Sequence, residues 1–196
     1  GHNRLYGRGK FKAFSEKRRI ENVISHLIEM DAGLGEFIEF LNELGIYERT
    51  NILLTTDHGM VSFTGKGQTY RIIEILEDMG FEKILSLDVG ELPPEDWDVI
   101  MVGTSIQLQL YFREPMEDRK LDCIKREIEK VNVVEKCMTK RELEERGTAN
   151  FFADILISPF PPHHFSTKRN RHYTLKANHD SLNDKAQHIF AVLSGP

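Results

Sequence analysis

From Val23 to Leu44 the apolar residues Val23, Leu27, Met30, Leu34, Phe37, Leu41 and Leu44 recur at alternating steps of four and three. That period lays one continuous apolar stripe along an α-helix, and Gly45 then stops it. After a short loop comes Thr50-Asn51-Ile52-Leu53-Leu54-Thr55-Thr56, apolar in consecutive positions. A strand without alternation is one covered on both faces. Helix, short loop and buried strand together are the pattern of an α/β sheet, in which ligands sit at the carboxyl ends of the strands. Asp57 and His58 occupy that end, followed by Gly59.

The chain continues with mixed signals. Tyr70 to Met79 reads as an amphipathic helix closed by Gly80, and Phe81 to Leu87 as a short strand. Val99 to Phe112 reads as one strand that alternates from Ile106 onward, so one of its faces is wet. A helix with the stripe Leu121, Ile124 and Ile128 follows, then a short strand and a helical turn from Val133 to Arg146. Residues 65–148 therefore read as a small α+β lobe inserted into a core made of residues 1–64 and 149–196. In that core, Ala153 to Phe160 and His188 to Pro196 read as strands of the main sheet. Pro159 to Lys185 reads as a polar, solvated loop, including His163, His164 and His172.

Composition narrows the function. With 196 residues, 40% of them hydrophobic, the chain is long enough for a substantial core, and its formal charge of -5 argues against gripping a nucleic-acid duplex by its phosphates. An anionic substrate remains compatible if bound cations supply positive charge locally. Cys123 and Cys137 are too few and too widely spaced for a disulfide framework or a zinc ribbon, and read as ordinary thiols. No apolar run is long enough to span a membrane.

Consecutive strand residues point to opposite faces, so Asp57 and His58 converge only if the chain leaves the sheet at that point, which Gly59 permits as a turn residue. By themselves the pair reads either as a hydrogen-bonded turn or as two ligands for zinc or a similar divalent ion.

The segment "NILLTTDHGM" closely resembles the Thr/Ser-Asp-His-Gly-Met segment of the type I phosphodiesterase and nucleotide pyrophosphatase family, part of the alkaline phosphatase superfamily. The helix before it, "MDAGLGEFIEFLNELGIYERT", is similar to that family's helix. The opening "GHNRLYG" resembles part of the family's Asp-x-x-Gly-His motif, although Gly1-His2 also reads as the remnant of an expression tag. Near the other end, "ANHDSLND" stands where the family has Gly-x-His-Gly, and "FAVLSGP" resembles its final strand.

The resemblance implies an alkaline-phosphatase-like fold, a mainly parallel sheet flanked by helices, of which this chain is the C-terminal part. It implies two divalent metal ions, zinc foremost with manganese or magnesium as substitutes. Asp57 and His58 would hold the ion that carries the nucleophile, and His2 and His179 the second ion. The Thr or Ser nucleophile would lie upstream, so this piece alone is expected to turn over nothing. The implied substrates are small phosphate esters or nucleotides, attacked in line to give a covalent phospho-enzyme that is then hydrolysed. Asn178 and Asp180 flank His179 where the family pattern has other residues. The competing expectation is a non-catalytic α/β module that binds an anionic ligand or a protein partner.

Overall fold

The computed structural model describes residues 2–88, 90–149, 152–166 and 171–196. The long stripe forms α2 (Glu16–Glu43), preceded by the short α1 (His2–Leu5). Ser15 caps α2 by accepting the Arg18 N–H, which satisfies one of the free donors of the first turn. Strand β1 (Ile52–Thr55) follows and pairs antiparallel with β9 (Ala191–Ser194), Ile52 opposite Ser194 and Thr55 opposite Ala191.

Helix α3 (Thr69–Asp78) leads into a five-stranded sheet built from β3 (Ile84–Leu87), β4 (Val99–Gly103), β5 (Leu108–Phe112), β6 (Val134–Thr139) and β7 (Ile155–Pro159). Its order is β3-β4-β5-β7-β6, with only the β3–β4 pair parallel. Helix α4 (Asp118–Glu129) and the short α5 (Lys140–Glu145) precede and follow β6. The stripe Leu121, Ile124 and Ile128 of α4 joins Ile72 and Leu76 of α3 against one face of this sheet, on Met101, Leu108, Leu110, Ile155 and Ile157. Burying side chains of this size contributes about 1.5–3 kcal/mol each, so this two-layer packing is the main apolar core.

Three sequence expectations change here. Val99 to Phe112 is a hairpin of two strands, turned at Ser105 with φ 78°. The strand at Ile155–Pro159, expected in the main sheet, is hydrogen-bonded between β5 and β6 instead. The stretch expected as a solvated loop contains β8 (Arg171–Asn178), which pairs antiparallel with β2 (Val61–Lys66). His164 is consequently buried, its ring 5.3 Å from Phe63 and 4.9 Å from the half-buried His172. Its Nε2–H donates to the Gly65 carbonyl at 3.1 Å. His188, by contrast, is exposed just after α6 (Asp184–Gln187). Both thiols also match, Cys137 buried and Cys123 half-buried.

The mixed α/β class expected from the sequence is the one observed. No helix among the described residues is long and apolar enough to cross a membrane. The helix α2 and the β1–β9 ribbon lie apart from the main core. Leu27, Phe37, Leu53, Val192 and Leu193 are all exposed, and of the residues of α2 only Leu41 is buried.

Candidate metal centre and its cavity

At the end of β1 the backbone leaves the ribbon and is pinned to α6. The Gly59 N–H donates to the Ala186 carbonyl at 2.8 Å, and the Met60 N–H to the Lys185 carbonyl at 3.2 Å. The role of Gly59 differs from the turn expected. Its φ is not in the left-handed region; a Cβ there would lie 1.8 Å from the Lys185 carbonyl oxygen. The glycine is required because two stretches of backbone touch.

This departure from the strand brings Asp57 and His58 together. The His58 N–H donates to Asp57 Oδ1 at 3.1 Å, and His58 Nε2 lies 3.4 Å from Asp57 Oδ2. His58 Nδ1 sits 2.8 Å from the Gly59 carbonyl. A carbonyl can only accept, so Nδ1 carries the ring proton and the Nε2 lone pair faces the carboxylate. Either a proton on Nε2 or a cation between the two atoms satisfies this contact. For bonds of about 2.0–2.1 Å, adjacent ligands of a tetrahedral ion are about 3.3–3.4 Å apart, which is the separation found. The Asp57 carboxyl is held below its ordinary value, first by its own backbone N–H; desolvation opposes this, and smaller contributions from His58 and the Thr56 hydroxyl add to the lowering.

His179 ends the loop that follows β8 and stacks on His58, ring centroids 3.8 Å apart and planes at 21°. A ring nitrogen's lone pair lies in the plane of its ring, so stacked imidazoles present their nitrogens to two different points. Asp180 Oδ1 accepts from His179 Nδ1 at 2.8 Å, leaving Nε2 free to ligate. Asp180, which departs from the family pattern, thereby orients the ring it follows. Asn178 fixes the same turn from the other side: its Oδ1 accepts the His179 N–H at 2.9 Å and its Nδ2 donates to the Thr104 carbonyl at 2.9 Å.

His2 lies in α1, and its side chain is outside the described part of the structure. The segment after it does reach the site, since the Tyr6 ring stands edge-on to His179 at 6.3 Å. Gly7 fixes that approach: with φ 66°, a Cβ there would come 2.6 Å from the Leu175 carbonyl of β8. Among the described residues no three His, Cys, Asp or Glu side chains meet at one point fit for an ion. The described side chains do not by themselves complete an ion site; Asp57 with His58, and His179, are the donors available to one.

Asp57, His58 and His179 line one cavity of about 720 Å³, within the range of small-molecule sites. Thr104, Gln107, Gln109, Arg146, Thr148 and Phe152 complete much of its wall. These wall residues were not singled out from the sequence. The alternation beginning at Ile106 announced a wet face, but only the pairing of β5 with β7 turns that face toward the histidines.

A family model described as type I phosphodiesterase / nucleotide pyrophosphatase matches residues 12–182, which include Asp57, His58 and His179 but not His2. No curated protein matches the sequence. Among solved structures, human ectonucleotide pyrophosphatase / phosphodiesterase 5 is similar with a TM-score of 0.54 and 16% identity, over 94% of this chain and 44% of that one. An inactive variant of the murine ectonucleotide pyrophosphatase / phosphodiesterase 5, in complex with AMP, gives a TM-score of 0.51 and 18% identity over 86% of this chain and 40% of that one. At these identities the likeness is one of fold, and it is alkaline-phosphatase-like. The chain spans less than half the length of either structure.

Proposed function

Since the chain belongs to the type I phosphodiesterase / nucleotide pyrophosphatase family, we propose that its cavity is part of a site that hydrolyses phosphodiester or pyrophosphate bonds with the help of two divalent cations. The observation that carries this reading is the approach of His58 Nε2 to Asp57 Oδ2 at 3.4 Å, with His179 stacked alongside. Asp57 and His58 would hold one ion, and His179 with His2 the other. Zinc suits this mixed imidazole and carboxylate set best, and manganese or magnesium are the substitutes. Such ions, when bound, activate an attacking oxygen and neutralise charge on a transferring phosphoryl group.

The chain's own residues supply positioning. The Gly59 carbonyl keeps the His58 proton on Nδ1, so Nε2 is available as a ligand. Asp180 does the same for His179 through Nδ1. The backbone contact between Gly59 and Lys185 locks the ligand-bearing turn to α6. No Ser or Thr is assigned as nucleophile here; that group belongs to an upstream segment, so this chain alone is proposed to be inactive.

The exposed apolar side chains of α2 and the β1–β9 ribbon support such a division. Helices and strands that are apolar on more than one side are covered in a finished fold, and more than half the length of the similar structures has no counterpart in this chain. The segments 1–64 and 149–196 as core and 65–148 as inserted lobe belong to the same proposal, with β7 contributed to the lobe sheet. The proposed substrates are small phosphate esters or nucleotides.

Elemental analysis tests the reading, comparing the unmutated chain with Asp57→Ala and His58→Ala after zinc loading and desalting. The unmutated chain should retain zinc and each variant should lose one equivalent. Equal retention in all three would overturn the assignment. Turnover of a p-nitrophenyl phosphodiester is expected only when the upstream segment is present.

A further inference from the structure

One turn of the lobe is hydrogen-bonded to the residue before His179, and that turn is strained. Strand β4 passes into β5 through Thr104-Ser105-Ile106-Gln107, closed by the Thr104 N–H, which donates to the Gln107 carbonyl at 3.0 Å. Within it the Ile106 N–H donates to the Thr104 carbonyl at 3.2 Å, across Ser105 with its φ of 78°. A three-residue turn with positive φ at its centre is the strained form of the γ-turn, and Ser105 is the one non-glycine with positive φ among the described residues. The Thr104 hydroxyl is also buried without a partner. Neither feature is favourable by itself, so the surroundings must impose this conformation.

Two bonds from outside the turn hold it. The Ser105 carbonyl accepts the Phe165 N–H, and Phe165 is fully buried in the lobe core. The Thr104 carbonyl accepts a second donor, Asn178 Nδ2 at 2.9 Å, so both of its lone pairs are used. The other end of the same carboxamide, Asn178 Oδ1, accepts the His179 N–H at 2.9 Å. One planar group thereby ties the strained turn to the backbone of His179, whose ring stacks on His58.

We propose that Ser105, Thr104 and Asn178 form a latch by which the lobe sets the position of His179. The lobe core holds Ser105, the turn places the Thr104 carbonyl, and that carbonyl fixes the Asn178 carboxamide against the His179 backbone. All three are positioning residues. The linkage runs both ways: a shift of the turn moves His179, and an ion or ligand that fixes His179 stiffens the turn. What His179 binds rests on the hydrolase reading above; the latch does not.

NMR on the histidine-labelled chain in EDTA tests the latch without any metal, through the Overhauser contact between the His58 and His179 rings. Asn178→Asp is the deciding variant. Its carboxylate still accepts the His179 N–H but offers no donor to the Thr104 carbonyl, so the contact should be lost, as in Asn178→Ala. If Asn178 serves only to close the turn after β8, Asn178→Asp keeps the contact and the latch is overturned. Ser105→Val acts from the other end: a β-branched residue resists positive φ, so the contact should weaken. Ser105→Gly adopts that φ freely, and should retain the contact and melt no lower than the unmutated chain. A contact unchanged in Ser105→Val, or absent from the unmutated chain, would also overturn the proposal, and the Asn178 variants decide it should Ser105→Val fail to fold. Because no zinc is present, a failed zinc-retention experiment leaves this result standing.

Discussion

Replacing Gly59 with alanine tests how the site is locked. The new Cβ would start 1.8 Å from the Lys185 carbonyl oxygen, where ordinary contact begins at 3.4 Å, so the two backbones must separate by about 1.6 Å. That movement breaks the Gly59 N–H bond to Ala186 at 2.8 Å and the Met60 N–H bond to Lys185 at 3.2 Å. Two lost hydrogen bonds cost about 1 kcal/mol each, and the overpacking itself about 1–3 kcal/mol. The expected destabilisation is about 3–5 kcal/mol, or a fall in Tm on the order of 10 °C for a domain of this size. Thermal denaturation followed by circular dichroism measures it. Gly33→Ala is the control: Gly33 lies within α2 with nothing inside 4 Å of a Cβ, so the helix should gain about 0.5–1 kcal/mol. If Gly59→Ala melts within about 2 °C of the unmutated protein, the close approach of these backbones is wrong.

Acid should weaken the β2–β8 region. Burial holds both His164 and His172 below the ordinary value of 6.5, with His163 adding to the effect on His164, and His164 and Lys176 to that on His172. The unfolded chain takes up these protons first, so stability is intact above about pH 6.5 and falls as pH drops below it, by at most about 1.4 kcal/mol per pH unit for each histidine. Denaturant titrations between pH 7.5 and 5 check this, and His164→Leu should flatten the slope. Asp57→Asn should leave Tm within about 2 °C, because Asp57 is exposed, while reducing zinc affinity at least tenfold by competition with a chromogenic chelator. The chain alone should bind 1-anilinonaphthalene-8-sulfonate through its bare apolar face, and Leu53→Ser combined with Leu193→Ser should reduce that fluorescence; an absence of dye binding would contradict the exposure of the ribbon.

The parts of the fold legible from sequence were those whose signal is local. The stripe of α2, the unalternated run of β1 and the Leu121-Ile124-Ile128 face of α4 each carry their own period. The β4–β5 hairpin was not legible because its turn uses Ser105 at positive φ, where glycine or asparagine would have announced it. Strands β2 and β8 were missed because β8 alternates weakly and carries His172 and Lys176, while their register shifts between Phe63 and Gly65. Only pairing across more than a hundred residues of sequence makes them strands. His164 was read as solvated on loop composition, yet Phe63 and the Gly65 carbonyl enclose it.

For the candidate site, Asp57 and His58 stand out through their place at a strand end, whereas the distances that make them a ligand pair come from tertiary contacts. His179 owes its position to Asn178 and Asp180, the two residues by which this chain departs from the family pattern. The cavity wall of Thr104, Gln107, Gln109 and Arg146 is assembled from a turn, a strand and a helix end, and no spacing in the sequence links them.

X-ray absorption at the zinc K-edge, on the zinc-loaded chain and on His58→Ala, tests the metal centre most directly. A first shell containing a carboxylate oxygen and an imidazole nitrogen at about 2.0–2.2 Å, with one imidazole lost in the variant, is the predicted result. Spectra that are identical for the two proteins, or that show only water around the ion, would contradict it.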